Sequence, residues 1–487
     1  MRLARDFLVL PAALCLAACG EINARVFEDA GVESEDARVG AEDASAPEAQ
    51  DAGQGVDAQS AEPPDAETAV ADAEQAPPDA ATPAGPDAQA PVVGPILYPA
   101  DRTQSPITES VAQNLRRIAA IAPRTENVFA KVGASNTVNT NHLHCFAGAN
   151  VDLDGRGELQ PALDFFKAGA AAGTTPFNRT SLAATVGWSA WAALAGTPNP
   201  LAQETAAITP RYASILFGTN DIQARDVDRY GQNLLDIADQ LIAEGTVPLF
   251  TDAPPRDDDA AADAWVPRYA AVMRAVAQAR QVPFVDLRRE LLDLPDHGIG
   301  SDGLHLNVYL PSGSARGCVL TAAGLDYGHN MRNLLTLTAL ARARDAVEGK
   351  PAPDGTAPVL AGKGDLAEPF VIASLPFTDY RDTSKGGFSR IDQYTGCTTT
   401  NEGGPEFLYK LVLAKATNLR AFVISLDGCD VDIHLLGAAA DAASCIARND
   451  KLINQTLQPG TYFLSLDTYV ASGVPKPGAY LLVVMAE

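Results

Sequence analysis

Three textures of hydrophobic and polar positions follow one another along the chain. After a short apolar run at residues 7–18, residues 20–94 carry no helical or strand period at all. From about residue 96 to 349, short apolar runs alternate with stretches that are apolar on one helical face. The runs predict strands at 127–132, 214–217, 247–251 and 283–287, and the amphipathic stretches predict helices over 107–121, 181–195, 226–244, 260–280 and 322–347. Such alternation argues for an α/β domain, a mostly parallel sheet with helices on both faces. Sites in such sheets lie in loops beyond the carboxyl ends of the strands. After Pro351-Ala352-Pro353-Asp354-Gly355 the pattern changes to short runs separated by Gly, Asp and Asn. Residues 409–413, 421–426, 432–436, 460–467 and 479–485 read as strands of a small all-β domain. The expected organisation is a leader over 1–19, a linker over 20–94, an α/β domain over 95–350 and a β-sandwich over 355–487.

Charge changes the picture of the first part. The 487 residues carry a formal net charge of −25, and residues 20–94 hold 18 acidic residues against only Arg25 and Arg38. The folded remainder is therefore only mildly acidic. No basic stripe exists to neutralise phosphates, which excludes nucleic acid as a partner. The Asp/Ala/Pro tract cannot bury enough apolar surface to offset its ordering entropy and reads as a disordered tether, with an r.m.s. span of roughly 50 Å for about 75 residues. Ahead of it, Arg2 and Arg5 precede an apolar run too short to span a bilayer, ending in Leu16-Ala17-Ala18-Cys19-Gly20. This ending resembles the lipobox of bacterial lipoproteins. The resemblance implies cleavage before Cys19, a diacylglycerol thioether on its sulfur, and an exported protein anchored to a membrane, with Gly20 favouring the outer membrane or cell surface. Beyond Cys15 and Cys19, five cysteines remain. Export permits disulfides and five is odd, so one thiol stays unpaired. By domain, Cys145 pairs with Cys318, and Cys445 with either Cys397 or Cys429.

Candidate chemistry sits at strand ends. The first strand runs into Gly133-Ala134-Ser135-Asn136-Thr137, placing the Ser135 hydroxyl on a tight turn. The second runs into Phe217-Gly218-Thr219-Asn220-Asp221, where the Asn220 amide can donate to a developing oxyanion. Near the domain's end, Ser301-Asp302-Gly303-Leu304-His305 puts a carboxylate three residues before an imidazole, a spacing that lets Asp302 fix the tautomer with which His305 takes a proton from a serine. Together, in this order, these motifs resemble the SGNH or GDSL-like hydrolase superfamily over residues 127–344. The resemblance implies a flavodoxin-like three-layer α/β sandwich and an esterase without metal or cofactor. It assigns Ser135 as nucleophile and oxyanion donor, Asn220 as oxyanion donor, Asp302 as orienter and His305 as general base. It also assigns Gly187, in Thr185-Val186-Gly187-Trp188, as the remaining oxyanion donor, and makes Gly324-Leu325-Asp326-Tyr327-Gly328 the closing segment. The chain departs from the family at Ala134, where an aspartate usually helps shape the serine turn. That departure keeps open an alternative, an inactive hydrolase fold serving as a surface binding or adhesion protein.

Other residues read more plainly. His142, His144 and Cys145 have metal-like spacing on a strand, but fit better as polar loop residues beside the pocket with Cys145 in a disulfide. His297 and His329 lack an aspartate at the matching offset. Trp188 and Trp191 read as helix packing. Asp427, Asp430 and Asp432 could take calcium, yet read more simply as a charged strand edge. With Cys429, residues 462–467 and Gly478-Ala479-Tyr480-Leu481, the β domain resembles the bacterial pre-peptidase C-terminal type of sandwich, which implies an accessory role. An acyl ester and the membrane are the expected partners.

Overall fold

A computed structural model of the chain describes residues 95–487, Thr399 and Asp427 excepted. The leader with Cys19, the acidic tract and Asp427 of the acidic cluster lie outside the described residues.

Four parallel strands, β1 (Thr125–Gly133), β2 (Pro210–Leu216), β3 (Val247–Thr251) and β4 (Phe284–Val285), lie side by side in that order. On the free edge of β1, Gly133 forms a single parallel bridge to Ala184. Counting that bridge as a vestigial strand, the order is that of a flavodoxin-like doubly wound sheet. All seven residues of β2 are buried, as expected of a sheet covered on both faces.

The helices are α1 (Glu109–Ala119), α2 (Ser135–Val138), α3 (Gln160–Lys167), α4 (Pro200–Ile208), α5 (Val227–Ala243), α6 (Ala260–Asp263), α7 (Val266–Arg280), α8 (Leu287–Leu291), α9 (Ala322–Leu325) and α10 (Gly328–Val347). α1 packs on α10 and α5 on α7, and both pairs contact the sheet, giving three layers. α5 shows why such segments become helices. Asp226 caps its first turn by accepting from the Arg229 N–H, and Tyr230, Leu234, Leu235, Ile237, Ala238 and Leu241 form one buried face. Among the described residues, no helix is long and apolar enough to cross a membrane.

Three sequence expectations are corrected. No α-helix forms over 181–195. That segment gives the Ala184 bridge, a turn at Gly187 with φ +82°, and a 3-10 turn over Ala190–Leu194. A glycine in the left-handed region breaks the helical period, and the helix comes later, at α4, where Asn199 caps and proline opens the first turn. The stretch 260–280 divides into α6 and α7, with proline in the first turn of α7. The stretch 322–347 divides at Asp326-Tyr327 into α9 and α10.

The remaining strands are β5 (Phe370–Ile372), β6 (Phe377–Asp382), β7 (Phe407–Leu413), β8 (Thr417–Ser425), β9 (Val431–Leu436), β10 (Cys445–Asn449), β11 (Leu452–Leu457), β12 (Gly460–Thr468), β13 (Val470–Ala471), β14 (Val474–Pro475) and β15 (Ala479–Ala486). They form a five-stranded sheet, β10-β9-β12-β7-β5, a four-stranded sheet, β11-β8-β15-β6, and a small β13-β14 ribbon. Strand periodicity explains the near-continuous apolar run of β15. Tyr480, Leu482 and Val484 face the sandwich core, whereas Leu481, Val483 and Met485 join the α/β core. On β8, Phe422 and Ile424 also join the α/β core. A Cβ on Gly231 of α5 would stand 2.4 Å from Ile424 Cδ1, so the glycine leaves the Ile424 side chain the room it occupies. Disulfides join Cys145 to Cys318 and Cys397 to Cys445, leaving Cys429 free.

Candidate active site

The serine turn begins where β1 stops. A Cβ on Gly133 would meet Thr137 Oγ1 at 2.4 Å and the Leu216 carbonyl at 2.5 Å, so glycine lets the chain bend against β2 at this point. Ala134 is extended, and α2 opens immediately with Ser135 as its first residue. No acceptor among the described residues takes the Ser135 N–H, as for the first donors of any helix.

His305 sits on a loop shaped by Asp302. Asp302 Oδ1 accepts from the Leu304 and His305 N–H groups, each at 3.0 Å, while Asp302 Oδ2 lies 2.6 Å from His305 Nδ1. His305 Nε2 lies 2.9 Å from Ser135 Oγ. Burial works to raise the Asp302 pKa, but the His305 N–H, the His305 imidazole and the Leu304 N–H outweigh it and bring the carboxyl down to about 2. Asp302 is thus ionised at neutral pH and suited to hold an imidazolium. Gly303, at φ +70°, has no room for a Cβ because the Asp258 N–H would be 2.6 Å away.

Gly187 and Asn220 come together on the other flank. Gly133 donates to the Ala183 carbonyl at 3.1 Å and Thr185 to the Gly133 carbonyl at 3.2 Å, which ties the Gly187 turn to the end of β1. Asn220 Nδ2 donates to the Trp188 carbonyl at 2.8 Å. Asp221, overlooked in the sequence, joins the two turns further. Its carboxylate accepts from the Ala190 N–H at 2.8 Å and the Gly218 N–H at 2.9 Å. Burial pushes the Asp221 pKa up to about 6, against the lowering effect of those donors. The sequence signal was there, since Asp221 directly follows Asn220.

The secondary candidates fall elsewhere. His142 is fully buried, and His144 and Cys145 lie in a 3-10 turn and not on a strand. His297 pairs with Asp257 at 3.0 Å, and His329 is buried. Trp191 is 50 % exposed, because the helix that would have packed it does not form. Asp430 pairs with Lys476 and Asp432 with Arg448. Among the described residues no group of three or more His, Cys, Asp or Glu side chains could hold a metal ion.

Residues 145–309 match the model of the GDSL-like Lipase/Acylhydrolase family. The matched stretch contains Gly187, Asn220, Asp302 and His305 and begins after Ser135. Residues 145–309 thus belong to a GDSL-like lipase/acylhydrolase domain. Among solved structures it is similar to an acetylxylan esterase from Geobacillus stearothermophilus, at 15% identity over 44% of this chain and 93% of the other, with TM-score 0.30. It is also similar to a GDSL-like lipase from Bacteroides thetaiotaomicron, at 18% identity over 48% and 98%, with TM-score 0.28. A third similarity is to the pre-peptidase C-terminal domain of a collagenase from Bacillus anthracis, at 18% identity over 23% and 89%, with TM-score 0.16. No curated protein matches the chain.

Proposed function

We propose that the α/β domain hydrolyses an acyl ester through a covalent intermediate on Ser135. The observation that carries this reading is the continuous relay from Asp302 through both ring nitrogens of His305 to the Ser135 hydroxyl, at 2.6 and 2.9 Å. His305 Nε2 takes the hydroxyl proton as Oγ attacks the ester carbonyl, and Asp302 stabilises the imidazolium that forms. The tetrahedral oxyanion is held by the Ser135 and Gly187 N–H groups and the Asn220 amide, each such donor supplying roughly 100- to 1,000-fold in rate. His305 returns its proton to the departing alkoxide. Water, deprotonated by the same nitrogen, then attacks the acyl-serine, and Ser135 is regenerated as the acid leaves. Ala134 adds no side-chain group to this sequence of steps and leaves none of them without an actor. An acylated glycan, a lipid or a small ester each meets these requirements.

The site is read as working outside the cytoplasm, tethered through a lipid on Cys19. Leu16-Ala17-Ala18-Cys19 supports this, and two or three acyl chains anchor stably at about 0.8 kcal/mol per buried methylene. Mass spectrometry of the N-terminal peptide should find a lipid-modified Cys19, and Cys19→Ala should release the protein from membranes. An unmodified cysteine in membrane-associated protein would contradict the anchor.

For the activity, the purified protein should release p-nitrophenol from p-nitrophenyl acetate, and Ser135→Ala should abolish that release. Equal rates for the two would end the esterase reading.

A further inference from the structure

Beneath the serine turn, α10 carries an arginine whose surroundings are unusual. Arg332 is 1 % exposed, and burial lowers its pKa only to about 9, so it stays charged at neutral pH. No carboxylate among the described residues pairs with it. The titratable groups around it are basic too. Lys131, His142 and His329 are all buried, and their pKa values are pushed down by burial first and then by the Arg332 charge. A buried cation without a counter-charge works against stability, and such exceptions gather where function requires them.

The guanidinium acts on the two residues that follow the nucleophile. Nη1 donates to the Asn136 carbonyl at 2.6 Å and Nη2 to Thr137 Oγ1 at 3.0 Å. Asn136 in turn accepts from the Leu306 N–H on its side-chain oxygen at 3.1 Å, and Leu306 directly follows His305. The start of α10 grips the same loop, with Asn307 accepting from the Gly328 N–H at 2.8 Å on its side chain and from the His329 N–H at 2.9 Å on its carbonyl. One helix end therefore holds both the nucleophile turn and the base loop, and Asn136 links them directly. Ala134 has no side-chain group with which to hold the turn.

Resting on the reading of Ser135 as nucleophile, we propose that Arg332 is a positioning residue, which with Asn136 sets the placement of Ser135 relative to His305. It touches neither substrate nor reacting atoms. Its effect belongs on kcat, because the Ser135–His305 placement serves both acylation and deacylation, so the two steps slow together and KM changes little.

The test is steady-state kinetics on p-nitrophenyl acetate with the full folded chain, comparing Arg332→Met, Arg332→Lys, Asn136→Ala and the Arg332→Met/Asn136→Ala double variant, with Ser135→Ala as control. Misplacing a catalytic pair by about 1 Å can cost on the order of 100-fold, so Arg332→Met should lose roughly 10- to 100-fold in kcat with KM within about twofold. Arg332→Lys should restore part of the loss. The double variant should fall well short of the product of the single losses, because both residues act through one brace. An unchanged kcat in folded Arg332→Met, a loss confined to KM, or fully multiplicative losses would each overturn the proposal. Should Arg332→Met fail to fold, Arg332→Lys and Asn136→Ala carry the same comparison, and wild-type kcat in both overturns it. Full activity in Ser135→Ala would remove this proposal together with the function it rests on. A dead Ser135→Ala beside a fully active Arg332→Met would remove this proposal alone.

Discussion

Asp302 and Asp221 are two aspartates with opposite pKa shifts, and each shift marks a separate task. Asp302 is drawn down to about 2 because it accepts two backbone N–H groups and faces His305. A carboxyl whose folded pKa lies below its unfolded value of about 3.9 stabilises the fold above pH 4, and that contribution is lost as pH falls from 4 towards 2. Thermal melts of wild type and Asp302→Asn should therefore differ at pH 7 and converge near pH 2. In activity, Asp302→Asn leaves His305 Nδ1 without a carboxylate, and kcat should drop on the order of 100-fold or more. Asp221 is pushed up to about 6 by burial. Its folded pKa lies above its unfolded value, so its contribution to stability declines as pH rises from about 4 through 6 and is flat beyond. Asp221→Asn should remove that pH dependence. It should also lower kcat, because one of the two N–H groups of Ala190 and Gly218 would then face an amide NH2, an unmet hydrogen bond of roughly 1–3 kcal/mol.

At the scale of elements, the site depends on turns that only glycine can make. Gly303→Ala forces a side chain into the left-handed region and against the Asp258 N–H, so the Asp302–His305 loop must shift. The expected result is a lower melting temperature and a loss of activity larger than the loss of folded protein, measured by circular dichroism beside the ester assay. These turns were legible in the sequence because they follow apolar runs directly: β1 into Gly133-Ala134-Ser135 and β2 into Gly218-Thr219-Asn220. The spacing of Asp302 and His305 was legible for the same local reason. The segment 181–195 was not, because its apolar residues mimic a helical period while Gly187 turns the chain at φ +82°. Arg332 was illegible for a different reason. It reads as an ordinary helical cation, and only the fold brings it to Asn136 and Thr137, with no carboxylate partner among the described residues. Pairing the cysteines by domain left Cys445 open between two partners, and a Cα–Cα distance of 5.6 Å to Cys397 resolves it.

For the whole molecule, the sandwich and the α/β domain are not beads on a string. β15 is buried on both faces, Phe422 and Ile424 join the α/β core, and Gln278 of α7 exchanges hydrogen bonds with Thr378 of β6. Calorimetry of residues 95–487 should accordingly show one cooperative transition, whereas two well-separated ones would contradict a shared core. Residues 95–350 alone should melt lower or aggregate, since their apolar contact with β8 and β15 is exposed. The Cys145–Cys318 disulfide closes a loop of sequence separation 173 across this domain. Its reduction should cost roughly 5 kcal/mol from chain entropy, read as a lower denaturant midpoint. All of these properties serve one proposed event, the passage of an acyl group through Ser135. The most direct measurement is mass spectrometry of the intact protein after treatment with a fluorophosphonate, which captures an activated serine. The expected result is a single phosphonyl adduct on the peptide containing Gly133-Ala134-Ser135, absent from Ser135→Ala and from His305→Ala. No adduct on wild type, or an adduct on another residue, would contradict the account.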